Sequence, residues 1–593
     1  MQCMSAPTRA DADRAHARFR WVDIGVPSVR NLRHVSGGRA VVWFLLGLSS
    51  LPLHLFYNST IFSSLGAFKY DVFSANEAFA ADPTTDDLQI KGSFRYDVNG
   101  DTIEGSTLLE SVHRDKLEKL GVNDCITKYA QSYQTNYGNL FLVVSNSTSD
   151  YDTAEPVVGF EARDVPIDWY FGTNGVPFEW ICRDSSCTGG FTLANCETFL
   201  PCITSNLADW KPFKKSIEYC LGEKIEGHCQ LAYSIHLAIV VLLIGAGKTS
   251  LMLYIAFRFK ERPLLTIGDA VASYLQRPDM YTQRACLVGR KEVQKEFQTG
   301  NIMGQRKQYV QKPVRRYRAA SIMRMGVLVL AFIIIFAASM FLLWYGVNQT
   351  TGLESRSAVW KLGLGAVNSS TLIAWNIPGR GVRSLITNVV VANSPQLVFS
   401  FLYLTMNGLA TTMSLASEWS RFAISRKGLR VSIDPKGSQR SSYFLQLPFR
   451  LGLPLMVMCG TMHWLISQSL FLVSVDVYDL RDSSKGTSPV DDESYITCGY
   501  SPVAILATIL VGTFAFAAII ALGWKRLKSG MPVAGSCSAA IAAACQPGSA
   551  PYRVEAAWEK VQWGVMGTSY VEPGHCGFSM DHVDLPEDGK FYE

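Results

Sequence analysis

Apolar positions along this chain gather into a few long runs, separated by polar stretches of very unequal length. Six runs are free of charge, or nearly so, over the roughly 20 residues that a helix needs to cross the ~30 Å core of a bilayer. They are residues 40–59, 233–256, 325–347, 397–416, 451–474 and 502–524. The third, "MGVLVLAFIIIFAASMFLLWYGV", is the most continuous, and the first carries Pro52 and His54. Between the first two runs lies a mixed segment, 60–232. There "NLFLVVS" and "EPVVGFEA" read as strands, "STLLESVHRDKLEKL" as a helix, and "VNGD" and "GTNG" as turns. The predicted fold class is an α-helical polytopic membrane protein of about six transmembrane helices with an α+β outer domain. Composition agrees: mean hydropathy is +0.12 and charged residues make up 18% of the chain.

Charge assigns sides to the intervening segments. Segment 257–324 holds 15 Lys/Arg against 5 Asp/Glu, and 417–450 holds 7 against 2. Cytosolic loops carry such an excess. Segment 60–232 holds 25 acidic and 13 basic residues, and 475–501 holds 6 and 2. The predicted order is a cytosolic segment 1–39, polar and basic and without the apolar core of a signal peptide, and a span at 40–59. An outer domain at 60–232, a span at 233–256 and a basic cytosolic loop at 257–324 follow. A four-helix region 325–524 with outer loops 348–396 and 475–501 then leads to a cytosolic tail 525–593. All four N-glycosylation sequons, at Asn58, Asn146, Asn348 and Asn368, fall on the outer side. So do eight of the fourteen cysteines: Cys125, Cys182, Cys187, Cys196, Cys202, Cys220, Cys229 and Cys498. An even number in an oxidising compartment reads as a disulfide framework, with the pairing left open.

On the cytosolic side, "PLLTIGDAVASYLQRPD" predicts a short helix lying against the membrane. "QKPVRRYRAA" is a basic run able to hold anionic lipid headgroups, although ordinary cytosolic charge bias is the better account of it. The stretch "GMPVAGSCSAAIAAACQPG" lacks core-forming bulk, and Cys537 and Cys545 within it are candidates for palmitoylation.

Motifs for chemistry are few. "LLIGAGKTSLM" ends like a phosphate-binding P-loop, but Leu242 stands where the first glycine belongs and the surrounding run is a membrane span. No nucleotide site is expected. Lys248, in that run, is the one ionised side chain within a span, about ten residues or ~15 Å of helix from Arg258. A charge there costs roughly 2.5–3.5 kcal/mol, which makes it a candidate functional residue. Its alternatives are a snorkelling lysine, or one bonded to Ser250, Asn407 or a backbone carbonyl. Gly245 and Gly247 beside it allow close packing or a local break. Asn407 and His463 are further intramembrane candidates. No metal-ligand spacing and no catalytic motif stands out, so no cofactor and no enzyme activity is expected.

Several blocks together carry a resemblance. They are "MQCMSAPTRADADRAHARFRWVDIGVPSVRNLR", "LPLHLFYNSTIFSS", "CITKYAQSYQTNYGNLFLVVS", "IEYCLGEKIEGHCQL", "LLTIGDAVASYLQRPD", "FLQLPFRLGLPLMVMCGTMHWLISQSLFLV", "ITCGYSPVAI" and "AGSCSAAIAAAC". Over nearly its whole length the chain resembles the fungal multi-pass membrane proteins that carry an N-terminal domain of unknown function. The resemblance implies an integral membrane protein without an established substrate or catalytic residue. Members of that family usually have about two spans before the "QCMSAPTR" block, so the chain is expected to lack them. They also tend to follow the small-residue block with His-Pro, where this chain has Gln546-Pro547.

The functional expectation is a sensor or scaffold of the cell surface or secretory pathway, whose outer domain binds an unknown ligand. The rival is a transporter or channel with a path past Lys248. Expected partners are the bilayer and anionic lipids, with no nucleic acid and no nucleotide.

Overall fold

The computed structural model describes the chain except for residues 82–94, 99–100, 105–111, 132, 145–156, 164–177, 183–186, 188–195, 228, 300–305, 351–358, 361, 368–370, 374–380, 443–445, 479–493, 549–552 and 567–573. Among the described residues, six helical stretches are long and apolar enough to cross a membrane, which suggests a membrane protein. The first is a pair, α1 (Gly37–Leu48) and α2 (Ser50–Phe56), that meets just ahead of Pro52. The others are α3 (Ile235–Arg258), α4 (Ile322–Thr350), α5 (Gly381–Trp419), α6 (Phe449–Ser469) and α7 (Pro502–Trp524). Apolar side chains such as Leu330, Ile334, Phe341 and Trp344 stay exposed along α4, a surface that suits lipid rather than water.

Contacts at the helix ends show that the six alternate in direction. At one end, Phe56 closing α2, Leu237 opening α3, Val389 early in α5, Leu472 after α6 and Ile496 before α7 form one cluster. Close by, the Tyr500 hydroxyl donates to Gly346 O near the end of α4 (3.2 Å). At the other end, Ala319 before α4 meets Ala416 late in α5 and Leu527 after α7. Met4 and Val42 there meet Ile255 and Phe259 at the end of α3.

Two five-stranded sheets occupy the first of these ends. Their strands are β1 (Ile61–Phe68), β2 (Tyr70–Ala75), β3 (Leu117–Leu120), β4 (Tyr137–Val144), β5 (Val157–Arg163), β6 (Ile217–Lys224), β7 (Cys229–Tyr233), β8 (Leu372–Ile373), β9 (Leu470–Tyr478) and β10 (Tyr495–Tyr500). In space they run β8-β10-β9-β1-β7 and β3-β6-β4-β2-β5. In the first sheet β1 lies parallel to β9, with Leu65 opposite Val475. Segment 60–232 therefore shares a sheet with strands from the later loops. Four strands of this sheet join membrane-length helices almost without a loop. β7 leads into α3, α6 runs straight into β9, β10 leads into α7, and α2 reaches β1 through the turn Tyr57–Ser59. Three disulfides, Cys125–Cys220, Cys182–Cys196 and Cys187–Cys202, staple the second sheet and its helices.

The opposite end gathers both termini, segment 259–321 and segment 420–448 into one core. At its centre the short helix Ser538–Ala543 is wholly buried. Two Thr/Asp capping boxes, Thr8 with Asp11 and Thr266 with Asp269, start the helices Arg9–His16 and Ile267–Gln276 around it. At Gly268 a Cβ would collide with the Arg430 backbone, so only glycine allows this approach.

Several expectations change here. Small residues in the tail form the centre of a core because they let helices and strands approach closely. The helix Ile267–Gln276 packs inside that core rather than against the membrane. α5 begins at Gly381, well before the apolar run at 397, so part of the expected outer loop 348–396 is helical. α6 stops at Ser469, and the rest of the run 451–474 opens β9. Of the helix expected within 106–120, residues 106–111 lie outside the described residues, and the remainder ends as β3, paired with β6.

Candidate functional site

Lys248 lies in the interior of α3, which is an unbroken helix, so "GAGKTS" forms no phosphate loop. Its partner comes from the break between α1 and α2. Ser50 Oγ donates to Leu46 O (2.9 Å), and its oxygen accepts from Lys248 Nζ (2.8 Å). Ser50 therefore stands where Ser250, Asn407 or a backbone carbonyl were the alternatives read from the sequence. Nothing lies within 4 Å of a Cβ built at Gly245 or Gly247, so these glycines mark neither close packing nor a break. No carboxylate pairs with Lys248 among the described residues.

One turn beyond Ser50, His54 stacks on His463 of α6, with ring centroids 5.4 Å apart and planes at 12°. Phe399 of α5 meets His463 edge-on at 5.0 Å. Ser400 Oγ, which donates to Gln396 O, lies 3.5 Å from His54 Nε2. α2, α3, α5 and α6 thus bring a lysine, two imidazoles and two hydroxyls into the bundle.

α5 supplies a polar line that hydropathy alone had hidden. Asn393, Gln396, Ser400, Tyr403, Asn407, Thr411 and Ser414 follow one another by three or four residues, which is one helix face. Asn393 Nδ2 donates to Ser59 Oγ (2.6 Å) and to Val389 O (2.9 Å). Gln396 is buried and its Nε2 has no hydrogen-bond partner among the described residues. Asn407 takes part through its backbone carbonyl, which accepts from the Thr411 hydroxyl (2.7 Å). Pro395 cannot donate to Val391 O, and the Ser394 hydroxyl does so in its place (3.0 Å).

At the disulfide-bearing end, six of the eight expected cysteines pair. Cys498 is instead a free, buried thiol on β10, donating to Asn388 O (3.4 Å). It stands at the base of the first sheet against α5, away from the stapled second sheet, and burial pushes its thiol up to about 12. The Cys229 side chain lies outside the described residues. Of the sequons, Asn58 and Asn348 are exposed at this end, while Asn146 and Asn368 lie outside the described residues.

At the other end, Cys537 and Cys545 are buried and closed to acylation. A constellation absent from any local motif sits beside them. Ser538 Oγ is 2.8 Å from His16 Nε2, and His16 Nδ1 is 3.1 Å from Asp279 Oδ2. Those are the distances of a nucleophile, base and carboxylate. All three are buried, however, and Val22 N–H also donates to Ser538 Oγ (3.0 Å). The arrangement bonds the N-terminal segment to two distant segments and presents no face to a substrate. Gln546 joins it, donating to Asp279 O (2.6 Å) and to Thr282 Oγ1 (2.9 Å). Asp23 is a second buried junction. Burial pushes its carboxyl up, but Arg30 and Arg324, with the Ser28 and Ser536 hydroxyls, outweigh that and hold it below the ordinary value.

No curated protein and no solved structure matches the chain. Two family models do. A family of unknown function, DUF6536, matches residues 1–64, which include the first of the six apolar helical stretches. A domain of unknown function, DUF8419, matches residues 266–316 and 312–585, more than half of the chain. On the extent of that match, this protein belongs to the DUF8419 family.

Proposed function

We propose that this is an integral membrane protein that couples a disulfide-stapled outer domain to a folded core in the cytosol. It acts as a sensor or scaffold rather than an enzyme, in the plasma membrane or a secretory-pathway membrane of a fungal cell. The observation that carries this reading is the near-absence of loops between the first outer sheet and the helices. A shift of β1, β7, β9 or β10 has no slack to absorb it and moves α2, α3, α6 or α7. Charge bias, the disulfides and the sequons support the outer assignment of residues 60–232, and with it cytosolic termini.

Hydrogen exchange of the whole protein in nanodiscs tests the coupling. Removing the outer staple with Cys125→Ser and Cys220→Ser should speed exchange at Ile24 N–H and Trp563 N–H. These are bonded to Ser536 O and Phe422 O in the distant core. Faster exchange confined to the outer sheets would refute it.

A second reading, a transport path past Lys248, draws on the polar line of α5 and the unpartnered Gln396 amide. It requires that Lys248→Met abolish proton flux in proteoliposomes while folding stays normal. The coupling reading requires that Lys248→Met be tolerated.

A further inference from the structure

Five cations from separate segments converge at the terminal end of the bundle, where the helices leave the membrane-length region. Arg316 precedes α4, Arg421 follows α5 and Lys528 follows α7, while Lys427 and Arg440 lie in the segment between α5 and α6. Backbone bonds fix their approach. Leu527 N–H donates to Val314 O (2.8 Å) and Arg316 N–H to Lys525 O (2.9 Å). The Ser529 hydroxyl donates to Ser420 O (2.7 Å), and Arg440 N–H to Leu429 O (2.9 Å). Arg440 Nη2 also reaches Gly428 O (3.3 Å).

This cluster lacks its counter-charge. None of the five forms an ion pair among the described residues. The acid whose charge acts on Lys427 is Glu418, and both of its oxygens already accept hydrogen bonds. Arg430 Nε holds Oε1 (2.9 Å), while Arg430 Nη2 (3.0 Å) and Gln446 Nε2 (3.3 Å) hold Oε2. Arg316 Nε is buried with no hydrogen-bond partner. Lys427 is held below the ordinary lysine value by burial and by the neighbouring Arg421, Arg440 and Lys528. Ordinary charge bias scatters lysines and arginines into solvent. It does not account for an unpartnered buried guanidinium nitrogen among mutually repelling neighbours.

The geometry points to a binding site for a phosphate-bearing group, formed by Arg316, Arg421, Lys427, Arg440 and Lys528. A phosphomonoester carries up to two charges and several acceptor oxygens, which match guanidinium forks better than a single carboxylate does. Arg421, Arg440 and Lys528 are exposed at the rim, and Arg316 and Lys427 are half-buried behind them. Such phosphate comes from a polyphosphorylated lipid headgroup or from a soluble polyphosphate. The position at the ends of three membrane-length helices suits the lipid. The inference rests on the membrane-spanning part of the reading above, and not on outer-domain coupling.

The test uses the full-length protein in phosphatidylcholine nanodiscs, with phosphatidylinositol bisphosphate added, or phosphatidylserine at matched charge, or soluble inositol trisphosphate. Saturable binding of the bisphosphate lipid is expected. Arg421→Gln with Arg440→Gln, both at exposed positions, should weaken it roughly 30-fold, at one charge lost per substitution. Arg18→Gln with Arg20→Gln, an equal change of charge elsewhere, should leave it intact. Equal binding of inositol trisphosphate also supports the site and assigns its ligand to the soluble source. Absence of saturable binding to either probe, equal binding to phosphatidylserine, or equal loss in the two double variants would overturn the proposal. None of these outcomes depends on whether the outer domain senses anything.

Discussion

His16 is held by partners that no local pattern could have supplied, since Asp279 and Ser538 lie 263 and 522 residues away. Ser538→Ala would leave His16 Nε2 and Val22 N–H unpaired in a buried site, at a cost of about 1–3 kcal/mol. A lower melting temperature of the detergent-purified protein is the expected result, and an unchanged one would contradict the bonded arrangement. Asp23 adds a dependence on pH. Its carboxyl lies below the ordinary value in the folded chain, so its stabilisation is fully present above the unfolded value of about 3.9. That stabilisation is lost as pH falls through the lower folded value. Melting temperature should therefore drop more steeply below about pH 4 in the native chain than in Asp23→Asn, and parallel curves would contradict the assignment. Lys248 was legible because an ammonium within an apolar run is conspicuous. Ser50 was not, because its place depends on the break between α1 and α2.

At the scale of elements, length and hydropathy were enough to find six apolar helices, and their edges were harder to read. α5 extends back to Gly381 because Asn388, Asn393 and Gln396 are buried within the bundle, so polar residues there do not end the helix. β9 was taken into a span because its apolar residues are buried against both neighbouring strands and helices. Cysteine spacing indicated a framework but could not exclude Cys498, whose burial is a tertiary fact. Breaking Cys125–Cys220, which closes a separation of 95 residues, should cost about 2–5 kcal/mol in the disulfide-stapled sheet. Cys498→Ala should cost far less, and equal losses in a thermal melt would contradict the pairing. Gly268→Ala should destabilise the terminal-end core, because the added methyl must displace the Arg430 backbone. A wild-type melt would show that this approach is looser than described.

For the whole molecule, charge alternation along the chain matches the alternation of helix ends that the packing displays. Neither assembly at the helix ends is contiguous in sequence, and that is why their makeup was not legible. The first sheet recruits strands from 372–373, 470–478 and 495–500, and the other core recruits both termini. Small residues such as Ala539, Ala540 and Ala542 read as filler until their neighbours are known. The most direct measurement is glycosylation mapping of the full-length chain in microsomes, removing each sequon in turn, with a reporter sequon fused after Glu593. Sugar on Asn146, Asn348 and Asn368 with a bare reporter is the result this account predicts. A bare Asn146, or a glycosylated reporter, would contradict the outer assignment of the disulfide-stapled domain and the coupling proposed from it.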